Sequence, residues 1–151
     1  MKTSTFLVTD ADEETATLRD VNDQQVVTLS ENPGLAAEAV IEATVEAEPP
    51  LEVTYRAVEI GHQRTIPVER SPESPTALSR DIAADQAVGE ITKRERAGEG
   101  EFHVLTVPDA EAAAASVVED VATLERAARL GVDRVEVRTA DGVVTVRYLP
   151  E

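Results

Sequence analysis

Cysteine is absent from this chain of 151 residues. That absence excludes disulfides, thiolate catalysis and Cys-ligated zinc together. Aromatic residues make up only 3%, so a platform that stacks nucleic-acid bases on exposed rings has little to draw on. Nowhere do the ~18 consecutive apolar residues of a membrane-spanning helix occur. Residues 1–6, MKTSTF, contain neither a long apolar stretch nor a small-residue cleavage site. No signal peptide is expected, and the chain reads as cytoplasmic. Two nucleophile and phosphate motifs are also missing: there is no Gly-x-Ser-x-Gly elbow and no glycine-rich loop followed by Lys-Ser/Thr. Ala97-Gly98-Glu99-Gly100 has two glycines but no helix after it, and reads as a hairpin turn.

What the chain has in excess is negative charge. Thirty Asp and Glu face 14 Lys and Arg, a net charge of −16. Only Lys2 and Lys93 are lysines; the other basic residues are Arg. The carboxylates are spread along the whole chain rather than gathered in a tail. Such self-repulsion opposes a compact state in dilute buffer. At molar salt the Debye length falls to about 3 Å and the repulsion is screened. We read the pattern as the salt-in signature of an extreme halophile, with a hydrated acidic surface. Charge of this origin weakens the case for nucleic-acid binding without deciding it.

Hydrophobic residues, 42% of the chain, fall in short runs whose period changes part-way along. Residues 6–9, 16–21, 24–30, 40–47 and 51–60 read as strands. A turn at Asn22-Asp23 sets Leu18 opposite Val27 and Ala16 opposite Leu29, with the apolar residues on one face. Phe6, Val53, Tyr55 and either Ala57 or Val58 are candidate core positions. Ala36–Ile41 could alternatively form a helical turn. Residues 64–74 hold Pro67 and Pro72 just ahead of Pro75 and read as a stiffened connector. Beyond it, Ser74-Pro75 is a helix start, with Leu78 and Ile82 at helical spacing and Gly89 as the stop. A hairpin over residues 90–107 follows. Pro108-Asp109 then opens a helical stretch running to Leu130, ended by Gly131. Its buried stripe is Val117, Val121, Leu124 and Ala128, with a bend expected near Glu119-Asp120. Asp141-Gly142 is the preferred two-residue turn of a last hairpin. That register sets Val137 opposite Val146 and Val135 opposite Tyr148, and puts Arg134, Glu136 and Arg138 on the other face.

The expected fold is therefore α+β. Residues 1–63 form a small antiparallel β-barrel or roll of the oligonucleotide-binding or SH3-like kind. Residues 64–74 connect it to an αββαββ unit over 75–151, with a four-stranded antiparallel sheet and two helices on one face. The segments 28–35 (TLSENPGL), 69–76 (ERSPESPT) and 124–132 (LERAARLGV) resemble a haloarchaeal family classed as a domain of unknown function. The resemblance implies an origin and supplies no active site.

The candidate chemistry is sparse. His62 and His103 fall in different halves, and their spacing does not bring them together as metal ligands. Ser71, Ser74 and Ser79 stand where capping is the cheaper explanation. Thirty acids make any carboxylate pair at glycosidase distance a matter of chance. The most unusual local feature is Lys93-Arg94-Glu95-Arg96. It reads either as an edge strand protected by charge or, joined by Arg64 and Arg70, as an anion-binding site suited to the planar guanidinium fork.

No cofactor, metal or catalytic residue is called for. The best reading of the sequence is a non-catalytic binding or protein-interaction module, with a protein partner or homodimer and no membrane. A nucleic-acid-associated factor using the barrel and the Arg-rich strand is the first alternative. A small enzyme with a hidden carboxylate acid/base pair is the second.

Overall fold

The computed structural model describes residues 1–96 and 100–150. It is an α+β protein that divides into two compact units: Met1–Ile66 with Leu124–Arg129, and Pro67–Thr123 with Leu130 onward. In the first, β1 (Lys2–Ala11), β2 (Ala16–Asp20), β3 (Val26–Leu29), β4 (Val40–Ala47) and β5 (Tyr55–Arg64) close into a barrel in the order β1-β2-β3-β5-β4. The β2–β3 register is the one the alternation demands, with Ala16 facing Leu29 and Leu18 facing Val27. These four join Phe6, Val8, Ile41 and Val45 in the buried interior. The closing contact is slight: β3 meets β5 in parallel at Leu29 and Tyr55, reinforced by Ser30 N–H donating to the Tyr55 carbonyl at 3.1 Å.

Two register shifts between β4 and β5 bend the pair, as closure of a small barrel requires. One shift seats Ala57 opposite Val45 and Glu59 opposite Thr44, so Val58 is the extra residue and lies exposed. Ala57 and Tyr55 pack against the core. Val53, expected inside, is 71% exposed because β5 begins only at Tyr55. Residues 36–39 form no helix. The helical segment Leu124–Arg129 is tied to the β2–β3 turn. Arg129 Nη1 donates to the Val21 carbonyl at 3.1 Å, Gln24 Nε2 donates to Glu125 Oε1, and Arg19 Nη1 stands 3.6 Å from Glu125 Oε2.

The second unit holds β6 (Val68–Arg70), α1 (Ala77–Ala84), β7 (Ile91–Glu95), β8 (Glu101–Thr106), α2 (Ala110–Glu119), β9 (Arg134–Ala140) and β10 (Val143–Leu149), with α3 (Val121–Leu130) shared between the units. Its sheet has five strands, not four, in the order β6-β9-β10-β8-β7. The added strand comes from the proline-rich stretch: Val68–Arg70 pairs in parallel with Val135–Val137. The β9–β10 register is as expected around Asp141-Gly142. The turn expected at 97–100 lies outside the described residues except for Gly100.

The helices depart further from expectation. α1 is capped by Thr76, whose hydroxyl accepts from Ser79 N–H at 3.2 Å, not by Ser74. Its buried side is Ser79 and Ala83, leaving Leu78 54% exposed. The long helix breaks at Asp120 into α2 and α3. The break resets the phase, so Val121 is exposed while Ala127 and Ala128 are buried.

α1 and α2 also lie on opposite faces of the sheet, not on one. Paired residues on adjacent strands share a face, and neighbours along a strand alternate. Thr139 pairs with Val144 and Val144 with Leu105, and Thr139 reaches Glu111 of α2. Thr106, next along β8, therefore points the other way, and its hydroxyl donates to the Ala83 carbonyl of α1 at 2.9 Å. The physical reason is that both faces bury side chains. Val135, Val137, Val146 and Tyr148 are buried on the α2 face, and Val104, Thr145 and Leu149 on the α1 face.

A candidate anion-binding face on the second sheet

Register places the basic residues. On the α1 face one row runs across the sheet from Glu69 (β6) through Glu136 (β9), Arg147 (β10) and Phe102 (β8) to Arg94 (β7). Glu136 organises its centre. Its carboxylate takes Arg138 Nε at 2.5 Å, Arg147 Nη1 at 3.2 Å and Arg134 Nη1 at 3.2 Å. Arg138 reaches on to Glu73 at 2.7 Å and to the Ser74 carbonyl at 3.4 Å, which fastens the approach to α1. Burial disfavours the charged Glu136, but its arginine partners outweigh that and hold the carboxyl below its ordinary pKa. At Arg147 the balance goes the other way. Burial first, then the like charges of Arg138 and Arg96, lower the guanidinium pKa despite Glu136.

Arg147 borders a cleft of about 320 Å³ with Arg96, Phe102, and Thr76, Leu78 and Ser79 of the α1 start. The five residues expected to bind anions divide here. Arg94 lies on the cleft face, paired with Phe102, and Arg96 lines the cleft. Lys93 pairs with His103 and so belongs to the opposite face. Arg70 is on β6, the far edge of the sheet from β7, where it meets Glu111 at 3.1 Å. Arg64 belongs to the barrel, paired with Val40. Sequence reasoning missed Arg147. The signal was present: carrying the Asp141-Gly142 register outward sets it opposite Glu136.

The other candidates are structural in their geometry. Ser71 Oγ accepts from Glu73 N–H at 3.2 Å, and Ser79 completes the α1 cap. His62 is exposed on β5. His103 is buried on β8, with Nε2 2.6 Å from Glu101 and its ring 5.0 Å from that of Tyr148. Among the described residues no three His, Cys, Asp or Glu side chains are grouped as a metal site would need. At Asp12, Asp20, Asp23 and Glu136 the carboxyl is held below its ordinary pKa, away from the raised value of a general acid. In the barrel, Phe6 is fully buried and Tyr55 packs on the core. Among the described residues no helix is long and apolar enough to cross a membrane.

These features define an α+β protein with a closed five-stranded barrel and a separate sheet bearing an arginine-lined cleft. The chain belongs to a family described as a family of unknown function (DUF5812), whose model matches residues 2–139. No curated protein and no solved structure matches it.

Proposed function

We propose that the protein is a non-catalytic binding module of a salt-adapted, haloarchaeal cytoplasm, and that its α1-bearing sheet face takes an anionic ligand. The observation that carries this reading is the gathering of arginines on one face: Arg138 and Arg147 share the Glu136 carboxylate, and Arg96 lines the same cleft as Arg147. In a chain of net charge −16, it is a costly arrangement that burial and the like charges of Arg138 and Arg96 lower the pKa of Arg147. An oxyanion bound there relieves that repulsion, and guanidinium forks suit it geometrically. Of the residues the sequence proposed, Arg94 and Arg96 stay in this site. Arg70 and Lys93 belong to the other face of this sheet, and Arg64 to the barrel.

Titration of the full chain with inorganic phosphate in 2 M KCl, followed by NMR (a concentration of about twice the 1 M at which screening reaches ~3 Å), tests the reading. Saturable shifts of the Arg96 and Arg147 side-chain signals are expected. No shift at either arginine would refute it.

The nucleic-acid reading rests on a different observation, the closed five-stranded barrel, an architecture that commonly carries oligonucleotides. Against it, Phe6 is fully buried and Tyr55 is partly buried against the core, which leaves few rings for stacking, and Asp12, Glu13 and Glu14 make the β1–β2 loop acidic. Affinity capture from native lysate at molar salt, with and without nuclease, separates the two. Recovery of RNA that nuclease abolishes would favour the barrel.

A further inference from the structure

We infer that the cleft between the start of α1 and strands β8 and β10 binds a small amphipathic anion, an oxyanion carrying an apolar group. The inference rests on the anion-binding reading above and adds the class of ligand.

The cleft is two-sided in its chemistry. Arg96 and Arg147 supply charge, while Leu78 and Phe102 supply apolar surface. Leu78 is the residue whose exposure helical spacing did not anticipate. At 54% exposed it is an uncovered leucine on the side of α1 that borders the arginines. Phe102 lies beside Arg147 in the cross-strand row, so a ring or alkyl chain against Phe102 leaves its acidic group within reach of that guanidinium. Glu95 also borders the cleft, but it pairs with Glu101 and its side chain alternates to the other face.

The helix start does not hold the anion itself. Thr76 Oγ1 already accepts from Ser79 N–H at 3.2 Å and meets Ser79 Oγ at 3.1 Å. The arginines therefore carry the charge recognition. A volume of about 320 Å³ lies at the small end of ligand pockets, ~300–1,000 Å³, which suits one ring or a short chain rather than a nucleotide. Salt strengthens the argument. At ~1 M salt, coulombic attraction is screened beyond about 3 Å and chloride competes for arginine. Apolar burial is not screened, so a site working in such a medium discriminates through its apolar wall.

The test is calorimetric titration of the full chain in 2 M KCl (again about twice the 1 M reference for screening) with phenyl phosphate, inorganic phosphate and benzyl alcohol. Phenyl phosphate should bind roughly tenfold more tightly than inorganic phosphate, the gain expected from burying about one face of a ring. Benzyl alcohol should show no saturable binding. Leu78→Ala, at an exposed position, should lower phenyl phosphate affinity about threefold and leave phosphate unchanged. Arg147→Gln should abolish both; if it fails to fold, Arg96→Gln should weaken both about tenfold. Equal affinity for the two phosphates overturns this inference while the anion-binding reading stands. Binding of neither overturns both.

Discussion

Lys2 shows how one cation shared by two carboxylates can hold the rim of a barrel. Lys2 Nζ lies 2.9 Å from Asp20 and 2.7 Å from Asp23, joining the start of β1 to the β2–β3 turn. Asp20 is buried, which disfavours its charge. Lys2 and the Asn22 and Asp23 N–H groups outweigh that and hold its carboxyl below the ordinary 3.8. A carboxyl whose pKa is lower folded than unfolded binds fewer protons when folded. Its stabilisation is full above the unfolded value and is lost as pH falls through the folded one. Asp20→Asn should cost roughly 2 kcal/mol at neutral pH, with a flatter dependence of stability on acid than wild type, both readable in urea melts. Glu136 obeys the same sign. Glu136→Gln leaves Arg134, Arg138 and Arg147 without their shared partner. It should destabilise the fold by roughly 2 kcal/mol, discounted for partial exposure, while raising phosphate affinity at the cleft. Weaker phosphate binding in that variant would contradict the electrostatic account.

At the level of elements, hairpins were legible and helices less so. The Asp141-Gly142 turn and the alternation of Val135, Val137, Val146 and Tyr148 fix β9 against β10, because a one-residue slip would turn that apolar set outward. The same logic fixed β2 against β3. Helix phase is softer. Ser74-Pro75 reads as the helix start, yet Thr76 supplies the cap, and the buried side is Ser79 and Ala83 while Leu78 stands beside the cleft. Thr76→Ala should cost about 1 kcal/mol, seen as a lower thermal midpoint. Arg147 became legible as a site residue only once α1 was known to cover its face. Glycines separate two kinds of constraint. A Cβ at Gly100 would sit 2.1 Å from the Tyr148 carbonyl oxygen, whereas one at Gly34 meets nothing within 4 Å. Both have positive φ, so Gly34→Ala should cost only about 1 kcal/mol. Gly100→Ala should be far more damaging, with loss of amide protection along β8 and β10 as the measurable sign.

Across the whole chain, charge governs how stability depends on medium. Among the described residues Asp20 and Glu125 are the buried carboxylates, and the salt-adaptation proposal takes the remaining acidic excess to be a self-repelling surface. Dilution from 2–3 M KCl to about 0.1 M, where screening reaches ~10 Å, should lower the melting temperature; an unchanged value would remove the salt-adaptation proposal. By itself the sequence determined the α+β class, the barrel-forming strands and the paired registers, because alternation and turn chemistry are local and a strand error exposes a whole apolar face. It also determined that the break near Asp120 would come. Only the tertiary structure decided that Val68–Arg70 would extend the sheet, that α1 and α2 would take opposite faces, and that Arg147 rather than Arg64, Arg70 or Lys93 would share a cleft with Arg96. Those outcomes depend on which of several adequate surfaces is covered. That competition is settled among residues far apart in the chain, where no local period carries the answer.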